Sequence, residues 1–224
     1  MLSNTLRRLS VLIAAAFFTL ASAPTWAQAN PSAISGVSEK TAEREQALAA
    51  LDDADPIQRI GSLEAILQGS DSVLINFAMK KVLAGSDNDM KGVIIRRALS
   101  ETEAPIIVQI SQCRSSYSNG GDCQGLLNAF GDAIAITFSS FDQNANTFVV
   151  ISPAAKLRYG SSPFNIYVGK LIDDRILFEL DLNSMYGSNG FTNCVGDFSL
   201  SQKGTMDGSF TCGPYALDGS FSLY

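Results

Sequence analysis

The sequence predicts an α+β protein, a small all-helical region followed by an antiparallel β-sandwich or small barrel. Two observations carry this. From Glu39 to about Ser100 the chain is rich in Ala, Leu, Glu and Lys, with apolar residues at helical spacing. Beyond about Pro105 it turns to Gly, Ser, Phe and Tyr in short alternating runs, and a change from a period near 3.6 to a period of two marks a change of architecture. The expected organisation is a signal peptide over 1–29, a linker over 30–38, a helical domain over 39–104 and an antiparallel β domain over 105–224.

The first segment sets the compartment. Arg7 and Arg8 precede the apolar run Val11 to Leu20, and Ala27-Gln28-Ala29 supplies an A-x-A ending. A basic start, a short apolar core and small residues before the cut are what an export peptidase reads. The stretch is too short for a membrane-spanning helix, which needs about 20 apolar residues. Cleavage is expected near Ala27 or Ala29, giving a periplasmic or secreted protein with no transmembrane segment in the mature chain. Arg7 and Arg8 leave with the signal, taking Lys+Arg from 16 to 14 against 22 Asp+Glu, a mature net charge of −8. Such a chain repels phosphate backbones, which excludes nucleic acid as the expected partner.

Residues 30–38 read as a loop-like leader. A first helix follows from Thr41 to Leu51. A second opens at Asp55-Pro56, an N-cap with proline at the first helical position, carries Ile57, Ile60, Leu63, Ile66 and Leu67, and stops at Gly69. The third opens at Ser70-Asp71 and stops at Gly85, and the fourth opens near Asp87. Cap signals recurring about every 16 residues, with Asp55-Pro56…Arg59 at a helix start, resemble a short stack of HEAT or armadillo-type helical hairpins. The resemblance covers about 60 residues and implies an interaction surface without shared chemistry; an ordinary small helical bundle is the alternative.

Candidate strands run over 132–140, 147–152, 165–172, 175–182, 193–200, 205–212 and 216–223, with another at 105–110. An outer-membrane strand ending at Tyr224 is excluded, because Ser222, Ser220 and Asp218 alternate back from it and cannot face lipid. With a turn centred on Lys203, opposed residues sum to 406: Leu200 faces Met206, Phe198 faces Gly208, Gly196 faces Phe210 and Cys194 faces Cys212. An aromatic opposite a glycine restores packing that the glycine forfeits. The next hairpin, turning through Gly213 to Ala216, would put Gly219 by Phe210 and Phe221 by Gly208.

Directly opposed strand residues lie within disulfide reach, so Cys194 is expected to bond Cys212. Locality then pairs Cys113 with Cys123 around the loop that holds Tyr117. In an exported chain an even cysteine count reads as structural bridges.

Chemistry is harder to place. The chain has no histidine, so Ser-His-Asp and Cys-His catalysis and His-based zinc sites are excluded. Asp87-Asn88-Asp89-Met90-Lys91-Gly92 resembles the opening of a calcium loop, yet Lys91 and Ala98 stand where ligands belong, so caps are the better account. Asp142 to Asn146 offers alternating oxygens without the turning glycine and reads as a hairpin turn. No metal, cofactor or catalytic residue is therefore assigned. The expected role is an exported, non-enzymatic protein-interaction or envelope structural protein with a disulfide-stapled β domain, its partner another envelope or extracellular protein. The candidate binding surface is Tyr117, Met185, Tyr186 and Phe191, aromatic and apolar residues in two polar loops. The alternative is a glycan-binding module or a carboxylate-dependent glycan hydrolase drawing on Asp173, Asp174, Glu179 and Asp181.

Overall fold

A computed structural model describes residues 31–102, 104–116, 132–153, 164–180 and 194–223, together with Cys123 and Leu127. The expected signal segment lies outside them. Four helices come first, α1 (Pro31–Ala49), α2 (Pro56–Gln68), α3 (Ser72–Ala84) and α4 (Asn88–Glu101), with a short 3₁₀ turn at Ala50–Asp52. Eight strands follow: β1 (Ile106–Ser115), β2 (Ala133–Asp142), β3 (Thr147–Pro153), β4 (Phe164–Ile172), β5 (Arg175–Leu180), β6 (Cys194–Leu200), β7 (Thr205–Cys212) and β8 (Tyr215–Ser222). Each strand pairs antiparallel with the next, and β1 pairs with β8, so the sheet closes into a barrel in sequence order. The sandwich alternative is thereby corrected: closure leaves one continuous wall and no second sheet. The expected linker 30–38 is corrected too, since α1 begins at Pro31.

Helix boundaries follow their caps. Asp55 accepts from the Ile57 amide with Pro56 at the first helical position, Asp71 from Val73 and Leu74, and Asp87 from Met90. Gly69 and Gly85 take extended backbone and end α2 and α3. Each later N-cap is also clamped by an arginine two helices earlier. Arg44 Nε of α1 donates to Asp71 at 2.7 Å, and Arg59 Nη2 of α2 donates to Asp87 at 2.9 Å. The Arg44 guanidinium, then the Leu74 amide, hold the Asp71 carboxyl below its ordinary value. For Asp87, burial pushes the carboxyl up, and the Met90 amide and the Arg59 guanidinium outweigh that and leave it lowered. Each clamp spans two helices, from α1 to the α3 cap and from α2 to the α4 cap, and the arrangement recurs at the next helix.

The residues Ala42–Tyr224 form one compact unit and those up to Thr41 fall in another. The expected boundary near 104 is a change of secondary structure within the larger unit, because α4 packs against β2 and β4. Gly92 of α4 sits on the backbone of Asp173 in the β4–β5 turn, where a Cβ would come within 2.5 Å of the Asp173 carbonyl oxygen. Leu83 of α3 meets Gly204 in the β6–β7 turn. The helices therefore close the mouth of the barrel at which those turns lie.

Inside, alternate residues of every strand meet. Phe138, Phe148, Phe178, Phe198, Phe210 and Phe221 are buried, with Phe198 5.1 Å from Phe210 and 5.2 Å from Phe221 between ring centroids. Eight strands enclose just enough room for side chains, and so many rings fit only because glycines lie between them. Phe148 faces Gly169, Phe178 faces Gly196, and Phe198 faces Gly208. The β6–β7 register runs as expected, Leu200 to Met206, Phe198 to Gly208 and Gly196 to Phe210. The next hairpin differs by two residues: Gly208 faces Gly219, Phe210 faces Leu217 and Phe221 faces Met206. Its turn is the two-residue Gly213-Pro214, with Gly213 at φ 59°, and not the four-residue turn expected.

Candidate interaction surface

Both disulfides form as expected. Cys194 and Cys212, buried inside the barrel, are bonded with Cα atoms 4.2 Å apart, and Cys113 is bonded to Cys123 with Cα atoms 5.6 Å apart. There are no free cysteines among the described residues.

The expected binding residues Tyr117, Met185, Tyr186 and Phe191 lie outside the described residues. The topology still places the strand ends that bracket them. In an up-and-down barrel the β1–β2 and β5–β6 connections leave at the same mouth, opposite the one closed by the helices. Each of those strand ends has a disulfide cysteine close by, Cys113 near the end of β1 and Cys194 at the start of β6.

Among the described residues, the carboxylates of the alternative reading are not gathered. Asp173 and Asp174 occupy the β4–β5 turn at the capped mouth, while Glu179 is near the far end of β5 on its exposed face. At about 3.3 Å per residue the six positions from Asp173 to Glu179 span roughly 20 Å, beyond the ~5–9.5 Å of a glycosidase pair. Asp181 lies outside the described residues. Asp87 is a cap, and Asp142 closes the β2–β3 turn by accepting from the Asn144 and Ala145 amides.

The outer wall of the barrel supplies a surface that the sequence reading passed over. Across β3 and β4, Ile151 opposes Ile166 and Val149 opposes Val168. Ile166 and Val168 are 68 % and 64 % exposed. Leu177 of β5 extends the patch beside Lys170, and Ile107 beside Ala135 adds apolar surface on β1 and β2. The signal was in the strand itself: Ile166, Val168 and Ile172 alternate with Tyr167, Gly169 and Leu171, and the branched set, interrupted by Lys170, is the one that faces out. Contiguous exposed apolar surface of this kind marks interaction sites on soluble proteins.

On β6, β7 and β8 the outer face is the reverse. Asp197 opposes Ser209, Ser199 opposes Asp207, and Ser209 and Asp207 oppose Asp218 and Ser220. Arg175 pairs with Asp197 and Arg114 with Asp218, and each carboxylate, first through its hydrogen bond and then through its charge, raises the guanidinium above its ordinary value. A phenyl-filled interior with this polar face outside inverts the pattern of a transmembrane barrel. No described helix is long and apolar enough to cross a membrane.

Comparison of the chain with family models, with curated proteins and with solved structures finds no match.

Proposed function

We propose that the protein is an exported, non-enzymatic interaction protein of the envelope or extracellular space, and that the β3–β4 outer wall meets its protein partner. The observation that carries this reading is the pair of exposed residues Ile166 and Val168 standing over Ile151 and Val149 on a fully hydrogen-bonded wall. Because β4 already has neighbours on both sides, a partner cannot add a strand there and must pack against side chains. Two bridges fit an export destination, since disulfides persist in oxidising compartments. The filled interior supports contact through the surface in preference to an enclosed ligand. Tyr117, Met185, Tyr186 and Phe191, which lie outside the described residues, would extend the contact area.

Quantitative cross-linking capture from envelope extract tests this. Wild-type mature protein should enrich a defined partner, Ile166→Ser with Val168→Ser should lose it, and Ser209→Ala on the polar wall should keep it. Equal capture by all three would sink the proposal. Glycan binding or glycan turnover is the alternative, and turnover lost in Glu179→Gln would favour it.

A further inference from the structure

We infer that the apolar wall is met by a second copy of this chain, packed face to face about a two-fold axis that lies over β4 and β5. This rests on the reading of that wall as a contact surface and names what meets it. The exposed apolar residues continue past Ile166 and Val168: Ile172, 47 % exposed, follows on β4, and Val195, 43 % exposed, stands beside Glu179 on β6. Two charges on this surface are unpaired. Lys170 and Glu179 are both exposed, and neither is held by a described residue in an ion pair or a hydrogen bond. The exposed charges next to them behave otherwise, since Arg175 and Asp197 satisfy each other within the chain.

The placement of those two charges selects the occupant. Lys170 opposes Leu177, and in an antiparallel pair Val168 and Glu179, each two residues on, lie toward the same end. Lys170 and Glu179 therefore stand at opposite corners of a four-residue block, with Val168 and Leu177 at the other two. At about 4.8 Å between strands and about 3.3 Å per residue, each diagonal is roughly 8 Å. A two-fold axis in the plane of contact, running along the Val168–Leu177 diagonal, sets Lys170 of each copy over Glu179 of the other. Val168 and Leu177 then each meet their own counterpart, which is the self-complementary pattern of an isologous interface. Packed sheets stand about 10 Å apart, a gap that lysine and glutamate bridge from its two sides while valine and leucine fill it. The block carries one charge of each sign, so two copies meet there without the repulsion that the acidic chain generates as a whole. Closure of the barrel leaves β4 and β5 no free edge, so the copies associate through their faces.

Sedimentation equilibrium of the purified mature chain over a concentration series tests this. Wild type should show a reversible monomer–dimer equilibrium, and Ser209→Ala on the polar wall should show the same one. Lys170→Glu and Glu179→Lys should each raise the dimer Kd about tenfold or more, because like charges then face each other twice. Both positions are exposed, so neither variant should lose melting temperature. Mixing the two single variants should restore association to within about threefold of wild type, since every facing pair in the mixed dimer is again a lysine over a glutamate. Wild-type monomer at every concentration, a dimer indifferent to both charge variants, or no recovery on mixing overturns the inference. The reading of the wall itself is decided separately by extract capture. A different protein captured by wild type and lost with Ile166→Ser and Val168→Ser would preserve that reading after the dimer had failed.

Discussion

The two walls of the barrel are alike inside and opposite outside. On β3–β5 and on β6–β8 the inward positions are mainly phenylalanine, aliphatic residues and glycine, in the same large-against-absent pairing, with the Cys194–Cys212 bridge and Met206 added on the second wall. Outside, the first wall presents Val149, Ile151, Ile166 and Val168, and the second presents Asp197, Asp207, Ser209 and Asp218. The inner face is what closure and packing demand, so both walls must satisfy it. Nothing in the fold demands the apolar outer face of β3–β4, and that face is what the proposed partner contact rests on.

The inner likeness can be broken first. Removing the Cys194–Cys212 bridge by double serine substitution should lower stability by about 3 kcal/mol on the chain-entropy account for a loop of this length. Because the bridge is assigned no chemistry, partner capture should survive at temperatures where the variant stays folded. A loss of capture without a fall in melting temperature would contradict that.

A matched pair of glycine substitutions compares the walls directly. A Cβ on Gly208 would lie 2.0 Å from the Asp197 carbonyl oxygen and 2.6 Å from the Phe198 Cα, so backbone must move. A Cβ on Gly169 would lie 2.3 Å from the Phe148 ring, which is a side chain and can turn. Gly208→Ala should therefore cost about 3 kcal/mol and Gly169→Ala about 1–2 kcal/mol in denaturant unfolding. The reverse order would mean that the second wall is the more compliant one.

The helical cap belongs to neither wall and responds to acid. Asp71 and Asp87 ionise more readily in the folded chain than at the ordinary value of 3.8. Their contribution is thus complete above that value and is lost as pH falls through the lower folded one. Asp71→Asn keeps a capping side chain but no charge, and should flatten the decline in melting temperature between about pH 5 and pH 2. An unchanged slope would show that the Arg44 clamp contributes nothing.

The smallest effect is expected on the outer wall. Ile166→Ser with Val168→Ser should change stability by only about 0.5 kcal/mol per site, as exposed substitutions do. A larger loss would assign the patch to the fold and remove the reason to expect a partner.

Much of this was legible where the determinant is local. Asp55-Pro56, Asp71, Gly85 and Asp87 announce the helix ends, and each cap holds the residues expected of it. The β6–β7 register was legible because Phe198, Gly208, Gly196 and Phe210 admit only one alignment that also joins the cysteines. The β7–β8 register slipped by two because Gly213-Pro214 makes a tighter turn than was assumed. A slip of two keeps each side chain on its face, so the inward set came out right with the wrong partners. Closure itself was not legible. From Gln109 to Ser115 the first strand is largely polar, and it stays extended because β8, about 100 residues away, pairs with it. The apolar outer wall was visible in Ile166 and Val168, but apolar alternate residues are ordinarily the inward set of a strand, and nothing local shows that here they face out.

That distant pairing has a consequence for how the molecule is made. Seven of the eight ladders join neighbours in sequence and can zip as successive hairpins, while the ladder from Gln109↔Ser220 to Ser115↔Tyr215 must wait for both ends. A chain synthesised from its N-terminus presents β1 with an open edge until β8 has emerged, and open edges recruit other strands. The Arg114–Asp218 ion pair lies across this final seam, so it forms only when the ring is complete. Closure at such sequence separation is slow, and the interval before it is when the protein is most exposed to aggregation.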